Sequence, residues 1–76
     1  MTNPTVEQFV TPIRNRRTMY ALVFTNNMEQ KHLEFFEKGG FEYHCRKHIV
    51  WNKPLHSAEI LMLNSGDSLI KVYVEV

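Results

Sequence analysis

Cys45 is the only cysteine in this chain of 76 residues, so no internal disulfide can hold the fold together. A domain of this size buries only about 60% of the surface that its unfolded chain exposes, which leaves it marginally stable. Short chains without disulfides often gain stability from a metal ion or from self-association. A lone free thiol also fits a reducing compartment. These constraints predict one small cytoplasmic domain and favour a homodimer.

The composition is that of an ordinary folded protein, with 43% hydrophobic and 22% charged residues. The first residues contain no basic run followed by an apolar stretch, so we expect no signal peptide. No apolar run approaches the roughly 20 residues that span a bilayer. We therefore expect no membrane association.

The beginning of the chain has a short helical pattern. Val6, Phe9, Val10 and Ile13 have the spacing i, i+3, i+4 and i+7, but Pro12 limits any helix to a turn or two. We predict an N-terminal arm over residues 1–17, partly ordered or formed as a short helix. A single α+β domain is predicted over residues 18–76.

The clearest helical signal lies over residues 26–38. Asn26 and Glu29 have the spacing of a capping box, and Gly39-Gly40 supplies a left-handed stop. Apolar residues share one face of this segment with His32, which we interpret as a histidine at the border of the core. The pattern predicts one amphipathic helix.

Four segments have the composition of strands. Residues 19–24 and 58–63 are apolar on both faces, which predicts cover on both sides of the sheet. Residues 41–51 alternate aromatic or β-branched residues with polar ones, the pattern of a half-buried strand. Residues 64–68 form a hairpin loop by composition. In the strand that follows, the residues expected to point inward are Ile70, Val72, Val74 and Val76.

This β-α-β-β-β order predicts an α+β two-layer sandwich, with the helix at about 26–38 on a mostly antiparallel four-stranded sheet. The second face of that sheet would still present Met19, Ala21 or Val23 and one side of the strand at 58–63, and either the N-terminal segment or another subunit would cover it. The last strand would have an open edge. Both features favour dimerisation.

The four histidines and Cys45 raise the question of a metal site. The i,i+4 spacing of His44 and His48 places two ligands on one face of a helix, but separates them by roughly 13 Å on a strand. Because residues 41–51 are interpreted as a strand, we predict no metal site and no cofactor. Alternation turns Cys45 into the core as a small hydrophobe, so we predict no catalytic residue.

The polar side of residues 41–51 is the strongest candidate for a binding surface. Residues 1–20 and residues 41–56 each carry a net charge of +2, which indicates an acidic partner. Aromatic and arginine side chains are frequent anchors of protein interfaces. A solvated strand face is the simpler alternative. The predicted partner-binding residues are His44, Arg46, His48, Lys47, Trp51, Tyr43, Arg14, Arg16 and Arg17.

Without a catalytic set of residues, we predict a small non-enzymatic binding or regulatory protein that acts by occupying a partner protein. Inhibitors and adaptors of this kind are commonly encoded by viruses and mobile elements. The alternative is a small nucleic-acid-binding module that uses the basic strand face and the Arg14–Arg17 arm on phosphates. An enzyme that uses Cys45 and a nearby histidine is a third hypothesis.

Overall fold

The computed structural model of the protein describes residues 3–14, 17–27 and 33–75. Its elements are, in chain order, helix α1 (Val6–Val10), strand β1 (Thr18–Phe24), helix α2 (Lys38–Lys47), strand β2 (Ser57–Met62) and strand β3 (Ser68–Val74). A 3-10 turn, Thr25–Asn27, follows β1. The fold is α+β, as the sequence predicts.

The three strands form one mixed sheet in the order β1-β3-β2. β3 pairs in parallel with β1, where Thr18 lies opposite Ser68, and antiparallel with β2, where Ile60 lies opposite Ile70. For the described residues, the predicted four-stranded, mostly antiparallel sheet and its β-α-β-β-β order are therefore wrong. The last strand also has no open edge, because β3 is paired on both sides.

Helix α2 occupies the segment in which the sequence pattern predicted a strand. Residues 41–51 fit the period of a strand and the period of a helix at once, because apolar residues recur both two apart and four apart in this segment. Phe41 and Cys45 are fully buried, whereas Tyr43, which a strand would place on the same face, is 72% exposed, and this burial pattern is that of a helix. Lys47, which alternation would place on the same side as Phe41 and Cys45, is exposed in the last turn of α2.

The helix predicted over residues 26–38 is wrong where the structure describes that segment. Residues 33–37 are not helical, and Gly39-Gly40, the expected stop, lie in the first turn of α2. Glu29 and His32 lie outside the described residues.

Phe36 shows why the chain is extended before α2. Phe36 and Tyr20 exchange two backbone hydrogen bonds, each 2.8 Å from nitrogen to oxygen. These bonds satisfy backbone groups at the edge of β1, which a helix at this position would leave unpaired. Pairing with the sheet therefore outweighs the helical pattern of the segment.

The core lies between the sheet and the two helices. Tyr20 stacks on Phe41 with ring centroids 5.2 Å apart. In β3 the predicted alternation is confirmed for residues 70–74, while Val76 lies outside the described residues. The buried residues of the core cluster are Val6, Val10, Tyr20, Leu22, Phe41, Cys45, Val50, Trp51, Leu55, Ile70, Val72 and Val74.

The second face of the sheet is largely covered at β1. Ala21 and Val23 are buried and Met19 is half-buried. Ala21 and Val23 are therefore covered within the chain itself, without another subunit. Exposed apolar surface that would favour a dimer must therefore lie in another part of the molecule.

The N-terminal segment fixes the turn that follows α2. Thr5 and Gln8 form a capping box, with Thr5 Oγ1 accepting from the Gln8 N–H at 3.1 Å, and this box begins α1. The Val6 N–H donates to the Lys53 carbonyl at 3.0 Å, and the Glu7 N–H donates to the Trp51 carbonyl at 2.9 Å. The boundary between an arm at 1–17 and a domain at 18–76 stays a prediction.

Lys38 ties the beginning of α2 to the chain after α1. Its Nζ donates to the carbonyls of Thr11 and Ile13 at 2.7 and 2.6 Å. The N-cap residue, Glu37, makes no side-chain capping bond. The first turn of α2 therefore depends on contacts from outside the helix.

Helix α2 ends in a Schellman motif that has Ile49 in the position usually taken by glycine. The Val50 N–H donates to the Cys45 carbonyl at 2.9 Å, and the Ile49 N–H donates to the Arg46 carbonyl at 3.1 Å. The motif holds Ile49 at a φ of 58°, in the left-handed region. This conformation costs a residue with a Cβ about 1–2 kcal/mol.

We expect Ile49→Gly to raise the free energy of unfolding by about 1 kcal/mol, because glycine adopts the left-handed conformation without a Cβ clash. Chemical denaturation followed by circular dichroism measures the change. Ile49→Val, which keeps the β-branch, is the control and should change stability little. A glycine variant less stable than the valine variant would contradict the strain at this position.

Candidate functional site

The solvent side of α2 and the turn after it carry a group of large exposed side chains. Tyr43 is 72% exposed, and Arg46 lies close to one helical turn further along the same side. Ile49 is 81% exposed just beyond the helix. We call Tyr43, Arg46, Ile49 and Lys53 the helix-end surface.

A shallow hollow of about 400 Å³ lies within this surface. Trp51 lines the hollow with its small exposed part, because the residue is only 6% exposed and otherwise belongs to the core. The residues around the hollow are Arg46, Ile49, Trp51, Asn52 and Lys53. The hollow therefore combines apolar walls with two cationic side chains.

The backbone of the helix-end surface is held in place from two directions. The Schellman motif fixes Ile49, and the Lys53 N–H donates to the Val50 carbonyl at 3.0 Å. The Val6 and Glu7 N–H groups bond the same turn from the N-terminal segment. A surface fixed in this way loses little backbone entropy when a partner binds.

The charge on this surface is mainly positive. Arg46 Nη2 lies 3.7 Å from Glu42 Oε1, and both side chains are largely exposed. An ion pair of this kind contributes about 0–1 kcal/mol, so a carboxylate from a partner can replace Glu42 at little cost. Arg46 and Lys47 also stabilise the carboxyl end of the α2 dipole.

The structure brings together only some of the residues predicted to bind a partner. Tyr43, Arg46 and Lys47 are neighbours on the solvent side of α2. His44 and His48 lie on another flank of the helix, against aromatic residues. The strand argument that grouped His44, Arg46 and His48 is therefore wrong, because a helix turns about 100° at each residue.

Arg17 does not join this group. Arg17 Nε donates to Asp67 Oδ1 at 2.7 Å, and Arg17 Nη2 donates to the Ser65 carbonyl at 2.7 Å. The hydrogen bond from Arg17 is the main reason that the pKa of Asp67 is lowered. Arg14 is exposed, whereas Arg16 lies outside the described residues.

Arg17 and Lys53 lie at opposite ends of the sheet. Arg17 precedes Thr18, which pairs with the first residue of β3. Lys53 lies three residues before His56, whose N–H bonds the carbonyl of Tyr73 near the other end of β3. One compact partner contact therefore does not include both cations.

The two histidines of α2 form part of a row of four rings. The ring centroids of His44 and His48 are 4.5 Å apart, which replaces the separation expected on a strand. His44 stacks on Phe36 at 4.6 Å, and His48 meets the edge of Phe24 at 5.8 Å. Within residues 3–14, 17–27 and 33–75, no three His, Cys, Asp or Glu side chains are grouped so that they could hold a metal ion.

The environment of His44 disfavours its protonation. Burial is the largest cause of its lowered pKa, and repulsion from His48 and Lys47 lowers the pKa further, against an opposing effect of Glu34. The neutral ring that stacks on Phe36 is therefore the favoured form.

Cys45 lies on the inner side of α2 and is fully buried. Burial raises the pKa of its thiol to about 12. The thiolate is the nucleophilic form of cysteine, so Cys45 has little reactivity at neutral pH.

Sequence reasoning missed the exposure of Ile49, whereas it expected one side of the strand at 58–63 to be uncovered. Alternation placed Ile49 on the inner side of the predicted strand. Its left-handed conformation depends on where the helix ends, which the alternating pattern does not show. Ile60 and Met62 are exposed although their composition is that of a core strand.

No protein-family model, curated protein or solved structure matches this chain. The function must therefore be argued from the geometry of the helix-end surface. None of the helices in the described ranges has the length and apolar character needed to cross a membrane.

We expect the protein to lose stability as the pH falls from about 7 towards 5. The pKa of His44 is lower in the folded chain than its ordinary value of 6.5, so the unfolded chain binds more protons in this range. His44→Phe keeps a ring on Phe36 without a titrating group, and should show a smaller loss of stability in urea denaturation at each pH. An equal loss in both proteins would contradict this role of His44.

We expect iodoacetamide to label Cys45 only after denaturation, because the thiol is buried and its pKa is raised to about 12. Mass spectrometry of samples with and without denaturant measures the labelling. Tyr43→Cys, which places a thiol on the exposed side of the same helix, is the control and should label rapidly in the native protein. Rapid native labelling of Cys45 would restore the nucleophile hypothesis.

Proposed function

We propose that this protein is a non-enzymatic binding protein that acts in the cytoplasm by occupying a partner protein, as an inhibitor or adaptor does. The partner contacts the helix-end surface. The observation that carries the proposal is Ile49, a large apolar residue that is 81% exposed and held in a conformation better suited to glycine. An unfavourable residue kept at an exposed position supports a functional role for its side chain.

The side chains beside Ile49 support a protein as the partner. Tyrosine and arginine are enriched among the residues that dominate binding energy at protein interfaces. Arg46 lines the same hollow as Ile49, and Tyr43 lies about one helical turn before Arg46. The hollow offers an apolar depression beside these anchors. The cations Arg46, Lys47 and Lys53 favour an acidic partner surface.

The environment of Cys45 supports a binding function better than a catalytic one. The thiol is buried and its pKa is raised to about 12, so the nucleophile required by the enzymatic hypothesis is missing at neutral pH. A free thiol in the core also agrees with a reducing compartment, which supports the cytoplasmic assignment.

Nucleic-acid binding is less well supported by the positions of the basic residues. That alternative requires Arg17 and Arg46 to contact phosphates together, whereas Arg17 bonds Asp67 and Ser65 at the opposite end of the sheet from Lys53. The binding test described below therefore includes nucleic-acid binding as one of its outcomes. The homodimer predicted from the size of the chain remains part of the proposal.

The test uses the tagged protein as bait in a cytoplasmic lysate, followed by titration of the captured partner. We expect Ile49→Gly and Arg46→Glu each to weaken partner binding at least about tenfold, because each removes a central anchor. Loss of binding by Ile49→Gly cannot be ascribed to unfolding if that variant is also more stable. Isothermal titration calorimetry measures the change.

Arg14→Glu is the matched control, since it makes the same charge change at an exposed position outside the helix-end surface. Equal losses for Arg14→Glu and Arg46→Glu would contradict the assigned surface. A nucleic-acid ligand would instead show binding that falls steeply with salt, with a slope near −0.9 per phosphate contact on duplex DNA. That result would contradict a protein partner.

A further inference from the structure

Strand β2 is hydrogen-bonded on one side only within the described part of the chain. All six of its residues are exposed, with Ile60 at 63% and Met62 at 73%. Leu61 and Leu63 are exposed as well. An edge strand with apolar side chains on both faces normally requires cover by another chain or element.

The hydrogen-bond pattern shows which backbone groups face outward. The Leu63 N–H donates to the Asp67 carbonyl at 2.8 Å, so alternation places the odd-numbered residues of β2 in bonded pairs with β3. The N–H and C=O groups of Ala58, Ile60 and Met62 therefore point away from β3. They form a row that another strand can complete.

We infer that this edge pairs with the same edge of a second copy, antiparallel about a two-fold axis at Ile60. In this register Ile60 lies opposite Ile60 of the other copy, and Ala58 lies opposite Met62. Every outward-facing N–H of β2 then meets a carbonyl of the second copy. The two sheets join into one continuous sheet.

The charge of Glu59 favours this register over the one with its two-fold axis at Glu59. A two-fold axis at Glu59 would place two glutamates directly opposite each other, which is destabilising. An axis at Ile60 places Glu59 opposite Leu61 and keeps Glu59 next to Lys71, where Nζ and Oε1 lie 4.0 Å apart. An axis at Leu61 would leave the outward groups of Ala58 outside the paired strand.

The second copy also covers the apolar side chains of β2. Ile60 and Ala58 lie opposite Ile70 and Val72, on the face of the sheet that carries the core. Helix α2 packs over β1 on the other side of β3, so it does not cover β2. Pairing places the small Ala58 beside the long Met62 of the second copy, which fills the space between them.

This inference rests on the homodimer in the proposed function and is independent of the partner at the helix-end surface. It differs from the prediction made from the sequence, where the last strand supplied the open edge. A chain of this size without a disulfide gains the stability it lacks from such an interface.

The first test is the mass of the protein in solution, measured by sedimentation equilibrium at micromolar concentrations. We expect the wild-type chain to be a dimer, and Ile60→Lys to raise its dissociation constant at least about tenfold, because two lysines would face each other at the axis. Ile49→Asn changes an exposed isoleucine elsewhere and should keep the dimer. Circular dichroism checks that each variant is folded.

The second test distinguishes edge pairing from other dimers. Opposite residues in a bonded antiparallel pair have Cα atoms about 5.5 Å apart, within the range of a disulfide. Ile60→Cys should therefore form a disulfide between two copies under mild oxidation. Leu61→Cys lies opposite Glu59 and should form far less, and the buried Cys45 takes no part.

Each outcome bears on a separate claim. A monomeric wild-type chain would overturn both the homodimer and the β2 interface. A dimer that is insensitive to Ile60→Lys, or that cross-links equally through Leu61→Cys, would overturn the interface alone. Arg46→Glu should leave the mass unchanged, so loss of partner binding in that variant tests only the helix-end surface.

Discussion

The burial of Phe41 and Cys45 against the sheet is the contact on which the rest of the fold depends. Phe41 and Cys45 are buried while Tyr43 between them is 72% exposed, a pattern that fits a helix and not a strand, and the helix connects β1 to β2 across one face of the sheet. The chain then returns through a hairpin, which places β3 between the other two strands, parallel to β1. The open edge of β2 and the exposed end of α2 both follow from this arrangement.

The strands and the hairpin could be predicted from the sequence, because apolar runs bounded by turn residues are local signals. The segment from residue 26 to residue 51 could not, since its helical and alternating patterns overlap. The pairing of Phe36 with Tyr20 and the packing of Phe41 decide between them, and both contacts join residues distant in sequence. Only the capping box of Thr5 and Gln8 was a readable signal that sequence reasoning overlooked.

The candidate surface was predictable in its residue types but not in its geometry. The aromatic and basic character of residues 41–51 indicated a binding segment, and Tyr43, Arg46 and Lys47 do lie together. Trp51 belongs mainly to the core, and the histidines turn towards Phe36 and Phe24. Ile49 gains its exposure from the way the helix ends, which no residue-by-residue pattern encodes.

The central position of β3 has a consequence for synthesis of the chain on the ribosome. β1 and β2 each bond β3 and not each other, and β3 is the last of the three to be made. No strand of the sheet can find its neighbour until that final segment has left the exit tunnel. The apolar residues of β1 and β2 therefore lack their pairing with β3 during translation, a stage at which chaperones protect such segments from aggregation.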